Sequence, residues 1–253
     1  MPRFLLVVFL SLLPVLCFAQ QPVEVWTYHL TPPFKVNASQ GLSQDFVDLL
    51  NDDPANAGRF RFQLTELPRK RLDLQLERGS PGVLLWATPQ FFTAELTANA
   101  RWTQALLHDQ QSFVSLPDLA FEYDRPRSLK GLILGGVLGY RYEGLEKEIA
   151  SGAIRRQNVH TDLQNLQKLL SGRIHTLLIA QSTLLYYRQS EKLGDLYISE
   201  KPLYQFTRHL LITNNLGKAA SDYLDGFLAA LPSNPHWQII LNHYGLQSMA
   251  AHD

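Results

Sequence analysis

One cysteine, Cys17, is all the thiol chemistry in this chain of 253 residues. A single thiol excludes an internal disulfide and a multi-cysteine metal site. Charge of one sign is also missing: 23 basic and 23 acidic side chains give a net charge of +0. No broad field therefore steers the chain to nucleic acid or an anionic membrane, and neither is expected as a partner. The eight histidines are dispersed, with no H-E-x-x-H pair, and no G-x-S-x-G elbow occurs. Zinc-protease and α/β-hydrolase chemistry are thus unsupported, and neither a metal nor a cofactor is expected. The run Gly135-Gly136-x-x-Gly139 lacks the Lys-Ser/Thr of a P-loop and the spacing of a dinucleotide fingerprint. It reads as a tight strand-to-helix turn.

Long apolar runs are absent apart from Phe4–Phe18, which follows Arg3 and precedes Cys17-Phe18-Ala19. A basic start, a short apolar stretch and small residues at −3 and −1 make a cleavable export signal. Cleavage is expected between Ala19 and Gln20, so residues 1–19 are read as signal peptide and the rest as periplasmic. A membrane anchor is disfavoured, because the run is broken by Pro14 and is shorter than the roughly 20 residues a spanning helix needs. Removal of the signal would take the only cysteine with it.

The remainder has an ordinary globular composition, 45% hydrophobic and 18% charged. Strand-like and helix-like segments alternate, which predicts parallel sheets flanked by helices. Val23–Tyr28, Arg59–Leu67 and Gly82–Trp86 read as strands. Between them lie a helix capped by Ser43, with Phe46, Val47, Leu49 and Leu50 on its apolar face, and a second helix over Arg69–Glu77. The pattern restarts with strands at Leu132–Val137, Asn158–His160 and Ile174–Ala180 and helices at Glu143–Ala150 and Asp162–Leu170, the latter opened by Thr161 and Gln164. Helices are expected at Leu216–Leu231 and Pro235–Tyr244, and strand-like crossings at Gln111–Ser115 and Phe206–Ile212. The expected fold class is α/β, two lobes each with a mostly parallel sheet, residues 20–113 plus 208–253 forming one and residues 114–207 the other. A cleft between lobes is the place for a ligand.

Several stretches carry a family resemblance: TPPF followed by GLSQDFVDLL, a Leu-rich helix running into ERG and a buried strand, LKGLILGGVLGYRYEGLEKEI, and LQKLLSGRIHTLLIAQS. In that order the chain resembles the periplasmic solute-binding proteins of the amino-acid-binding type, family 3. The resemblance spans essentially everything after residue 19. It implies two lobes that close on a small solute, as a monomer, and deliver it to the membrane permease of an ABC-type transporter. The same closure could instead report the solute to a membrane sensor protein. A third reading is a cyclic-carboxylate dehydratase on the same fold, with Glu143 as the acid near the pocket turn. A first-turn glutamate is held ionised by its helix, which makes it a poor acid, so no enzyme activity is expected.

The resemblance also implies groups that are missing. Typical members hold the ligand carboxylate with an arginine after the strand corresponding to Gly82–Trp86, but ATPQFFTAELT has no basic residue there. They pair the ligand ammonium with an acid after the strand corresponding to Ile174–Ala180, where this chain has Ala180-Gln181. The expected solute is therefore atypical for an α-amino acid. The candidate ligand-binding residues are Tyr28, Thr31, Phe34, Trp86, Thr88 and Phe91 on one side and Tyr140, Arg141 and Gln181 on the other. Aromatic walls with few charges suit a flat, partly apolar ligand, with Arg141 able to receive an anion. Each has a plainer alternative: the aromatics as core, and Arg141 as a surface residue pairing with Glu143 or Glu146.

Overall fold

The computed structural model describes residues 20–251; the expected signal segment and Cys17 lie outside the described residues. The chain runs β1 (Gln21–Thr27), α1 (Leu42–Asp52), β2 (Phe60–Glu66), α2 (Arg69–Glu77), β3 (Val83–Ala87) and then β4 (Ala100–Ser115). It continues with β5 (Ile133–Val137), α3 (Glu146–Ala150), β6 (Arg155–Val159), α4 (Asp162–Leu170), β7 (Thr176–Ala180) and α5 (Gln181–Ser190). Last come β8 (Tyr197–Ile198), β9 (Tyr204–Thr213), α6 (Lys218–Ala230) and α7 (Pro235–His243).

The strands hydrogen-bond in the order β2-β1-β3-β9-β4-β7-β5-β6, with β8 on β4. β1, β2 and β3 are parallel to one another, as are β5, β6 and β7. The antiparallel pair β4 and β9 joins these two parallel groups into one hydrogen-bonded sheet. At roughly 3.3 Å per residue a strand of this length reaches about 50 Å, enough to serve both groups. β4 pairs with β9 from Ala100 to Gln111 and with β7 from Gln111 to Ser115.

Each parallel group has its own core. Val25, Phe46, Phe62, Trp86, Phe227 and Trp237 belong to one cluster, built from β1, α1, β2, β3 and the C-terminal helices. Leu166, Leu177, Leu184 and Tyr187 centre another, between α4, β7 and α5, and Phe113, Tyr142 and Leu178 a third on the opposite side of that sheet. Burying each such Leu or Phe contributes about 1.5–3 kcal/mol.

Local chemistry sets several boundaries differently from the sequence reading. The N-cap of α1 is Gly41, not Ser43. Gly41 has φ 152°, and a Cβ there would sit 2.5 Å from the Phe34 carbonyl oxygen. Ser43 lies inside the helix, where its hydroxyl accepts the Trp86 indole N–H at 3.0 Å. α3 starts at Glu146 rather than Glu143, because the preceding Gly144 has φ 89°. β6 starts at Arg155, its register with β5 pairing Ile133 with Arg155. α5 was not expected at all; its N-cap Ala180 makes no side-chain bond. Asp109 of β4 takes that role, Oδ1 accepting the Ser182 N–H at 3.1 Å and Oδ2 the Ser182 hydroxyl at 2.7 Å. Among the described residues no helix is long and apolar enough to cross a membrane.

Candidate functional site

The turn after β1 meets the segments that follow β5 and β7, and β4 and β9 link the two parallel groups. Open α/β sheets place ligands at the C-terminal ends of their strands. The turn after β1 carries Tyr28 to Phe34, the turn after β5 carries Tyr140 and Arg141, and Asp162 and Gln181 start the helices after β6 and β7.

The two sides touch. Thr183 in α5 donates its hydroxyl to the Pro32 carbonyl at 3.0 Å. The Tyr140 phenol meets the Thr31 side chain; desolvation and Asp162 raise its pKa, and Thr31 and Arg208 pull it back. Gln189 of α5 donates to the Asn242 carbonyl of α7 at 3.3 Å, and the Tyr186 and Tyr244 rings lie tilted to each other with centres 6.3 Å apart.

Between the sides lies a charged cluster that no sequence motif announced. Arg208 of β9 is 4% exposed and Asp109 of β4 is 3% exposed. Arg208 Nε donates to Asp109 Oδ2 at 2.8 Å, and Nη2 stands 2.7 Å from the same oxygen. The guanidinium lies 4.5 Å above the Phe34 ring and 5.0 Å above that of Phe206, within cation–π range. His29 Nε2 is 3.1 Å from the Trp86 carbonyl oxygen. A carbonyl only accepts, so Nε2 carries the hydrogen, and Arg208 Nη1 at 3.4 Å from it faces a donor rather than an acceptor. Nη1 is therefore left without an acceptor among the described residues. Burial first, then the Arg208 charge, push the His29 pKa well below its ordinary value, so the ring is neutral.

Around this floor stand phenols. The Tyr28 hydroxyl is buried with no hydrogen-bond partner among the described residues, and burial raises its pKa against the pull of Arg208 and Arg69. Arg69 lies 5.5 Å above the Tyr28 ring and 4.0 Å above Phe92. Tyr204 is pushed up to about 12 by burial, with Glu143 and Glu146 adding to the effect.

The candidate residues from the sequence divide as follows. Tyr28, Phe34 and Tyr140 gather about Arg208, and Thr31 joins them through Tyr140. Phe91 packs at 6.2 Å from Tyr204 and 5.8 Å from Phe206, beside the same floor. Thr88 is 1% exposed and its hydroxyl has no partner among the described residues. Arg141 is exposed at the rim and makes no ion pair among the described residues, with Glu143, Glu146 or any other acid. Trp86 is taken out of the wall: it is 0% exposed, with its ring 5.3 Å from Phe46, 5.7 Å from Phe34 and 6.3 Å from Trp237. At an irregularity in β3 its backbone adopts φ 61°, so the indole enters the core while the carbonyl meets His29. Such a conformation costs a non-glycine residue roughly 1–3 kcal/mol and persists only where its surroundings enforce it.

A groove of about 420 Å³ runs beside the start of α5, lined among others by Gln90, His108, Gln181, Gln205 and Phe206. Of the candidates from the sequence, Gln181 lines it. The volume is within the range of small-molecule sites. No group of histidines, cysteines and carboxylates able to hold a metal occurs among the described residues.

No protein-family model matches the sequence, and no curated protein does. Solved structures match over most of both chains. An ancestral cationic amino acid solute-binding protein superposes with a TM-score of 0.67, at 15% identity over 88% of this chain and 95% of that one. The substrate-binding protein of a polar amino acid ABC uptake transporter from Streptococcus thermophilus gives 0.65, at 16% identity over 91% of this chain and 88% of that one. The GluR0 ligand-binding core from Nostoc punctiforme, in complex with L-glutamate, gives 0.64, at 16% identity over 88% and 99% of the two chains. The chain has the two-lobed fold of periplasmic binding proteins.

Proposed function

We propose that the protein is a periplasmic solute-binding protein whose two lobes, dividing near residues 113 and 208, close on a small solute for an ABC-type uptake system. One observation carries this reading: two independently cored halves meet through Thr183 and Pro32 and through Thr31 and Tyr140. Between those contacts lies a floor of buried charge that a solvent-facing surface has no use for. The fold it shares with binding proteins of amino-acid type supports the reading.

The solute is atypical for an α-amino acid. In place of the arginine and acid that the family resemblance leads one to expect, the cleft offers Arg208 Nη1 as a donor, aromatic surface at Tyr28, Phe91 and Phe206, and Arg141 at the rim, while Phe34 is buried beneath Arg208. An acceptor atom of the solute on Arg208 and a flat apolar body against the rings fit these groups. The protein acts as a monomer without covalent chemistry, passing its solute to a membrane permease.

A thermal-shift screen of the purified protein against amines, amino acids, organic acids and aromatics tests the proposal. A ligand that binds only the folded state raises the melting temperature. If no small molecule does so and a membrane sensor protein binds the protein directly, solute binding is refuted and the signalling role takes its place. Conversion of a cyclic acid to a new product would establish an enzyme instead.

A further inference from the structure

Asp162 occupies the first turn of α4 and is only 5% exposed. Among the described residues it makes no ion pair, and no other residue donates a hydrogen bond to its carboxylate. A carboxylate this little exposed, helped only by its own backbone N–H, is an unfavourable arrangement. An acid that merely complements a helix end does so from the solvent side, where it keeps its hydration. Asp162 keeps little of it, lying on the buried face of α4.

Its neighbours are phenols. The charge of Asp162 acts on Tyr140 and Tyr142 in the turn after β5 and on Tyr187 of α5. On β6 the nearby cation Arg156 is committed elsewhere: it donates to the Val137 carbonyl at 2.7 Å and the Tyr140 carbonyl at 3.1 Å, and lies 4.6 Å above the Tyr142 ring. Lys168 of α4 donates to Gln157. Asp162 begins the helix that follows β6, at the strand ends whose turn after β5 carries Tyr140, the residue that meets Thr31 from the other half.

We propose that Asp162 is the counter-charge for a cationic group of the solute, an amine or guanidinium held against the exposed phenol of Tyr140. A cation beside that ring gains from its face as well as from the carboxylate. The site differs from that of the missing acid after β7, lying on another element. It rests on the solute-binding reading of the cleft. Burial has pushed the Asp162 carboxyl up to about 6, as befits an acid whose partner is absent. Binding of a cation then releases a proton in mildly acid solution. Facing Asp162 are the phenols of Tyr140, Tyr142 and Tyr187 and the committed Arg156; on the cleft floor stand the paired Arg208 and Asp109, Tyr28, Tyr204 and Arg69, and a His29 that is already neutral.

The experiment is calorimetric titration with tyramine, agmatine and L-arginine as cation-bearing probes, and with 4-ethylphenol and 4-hydroxyphenylpropionate as the neutral and anionic counterparts of tyramine. At least one cation-bearing probe is expected to bind. Its affinity should fall about tenfold for each unit of pH below about 6. In Asp162→Asn the affinity should drop by roughly 30-fold and lose that pH dependence. Equal binding by Asp162→Asn, a flat pH profile in the unmodified protein, or failure of every cation-bearing probe overturns the inference. If the neutral or anionic probes bind and the cationic ones do not, the cation subsite fails while solute binding stands. If no probe of any class binds here and the wider screen also finds none, both fail. The pH profile of the unmodified protein decides the matter alone should Asp162→Asn not fold.

Discussion

Arg208 and Asp109 stand 99 residues apart in sequence and meet at 2.8 Å, one from each of the two strands that join the halves. Asp109 also caps α5 through Ser182, so a single carboxylate ties both crossing strands to the first helix beyond β7. Removing one partner strands a buried charge, and Arg208→Met or Asp109→Asn should each cost about 3–5 kcal/mol. The double variant is expected to recover much of that, giving a coupling energy of order 2 kcal/mol or more in a denaturant-unfolding cycle. Additive losses would mean that the two residues act independently.

Gly41→Ala should be strongly destabilising. The substitution meets both a φ of 152° and the Phe34 carbonyl oxygen at 2.5 Å, so the turn after β1 has to move away from α1. A loss above about 1 kcal/mol in chemical unfolding is expected, larger than Gly→Ala at an unstrained site. Ala at Gly172, where nothing stands within 4 Å, is the comparison that isolates the clash from the φ of 68°.

Asp162 and His29 give the stability an opposed dependence on pH. The Asp162 carboxyl lies at about 6 when folded against an ordinary 3.8, so folding favours its protonated form. Its contribution is full below about 4 and is lost as pH rises through about 6, a change of about 3 kcal/mol. His29 is depressed below its ordinary 6.5, so its contribution is present above that value and is lost as pH falls. Comparing Asp162→Asn with the unmodified protein from pH 4 to 7.5 cancels the histidine. The variant's relative stability should grow with pH and level off above about 6; a constant difference would contradict the burial of this acid.

Thr183→Val removes the one direct hydroxyl bond from α5 to Pro32. The bond is worth about 0.5–1.5 kcal/mol. A several-fold weaker affinity for whichever solute the screen finds is expected in calorimetry, with a loss of unfolding free energy no larger than that bond.

Much of the scaffold is legible in the residues. Period and turn chemistry identify β1, α2, α4 and β7 because each is local: Thr161 caps α4, the Gly79 turn follows α2, and β7 is a continuous apolar run. What escapes is what depends on distant chain. α5 has no cap of its own sequence, since Asp109 supplies one from β4. The first part of β4 hides because irregularities after Trp102 and Ala105 break the alternation that marks a strand. Arg208 left a sign, a charge in the buried row of β9 between Phe206 and Leu210, but its partner is not visible in the sequence. Trp86 reads as an aromatic at a strand end, and only its left-handed backbone turns the ring inward. Asp162 looks like any first-turn acid until its burial is known.

The central claim is that a small solute binds between the halves, where Thr31 meets Tyr140. The most direct measurement is the melting temperature of the unmodified protein and of Thr31→Trp, which puts an indole at that contact, each with and without the solutes from the screen. A rise in the unmodified protein that is absent from a folded Thr31→Trp is the predicted result. The same rise in both, or none in either, would contradict it.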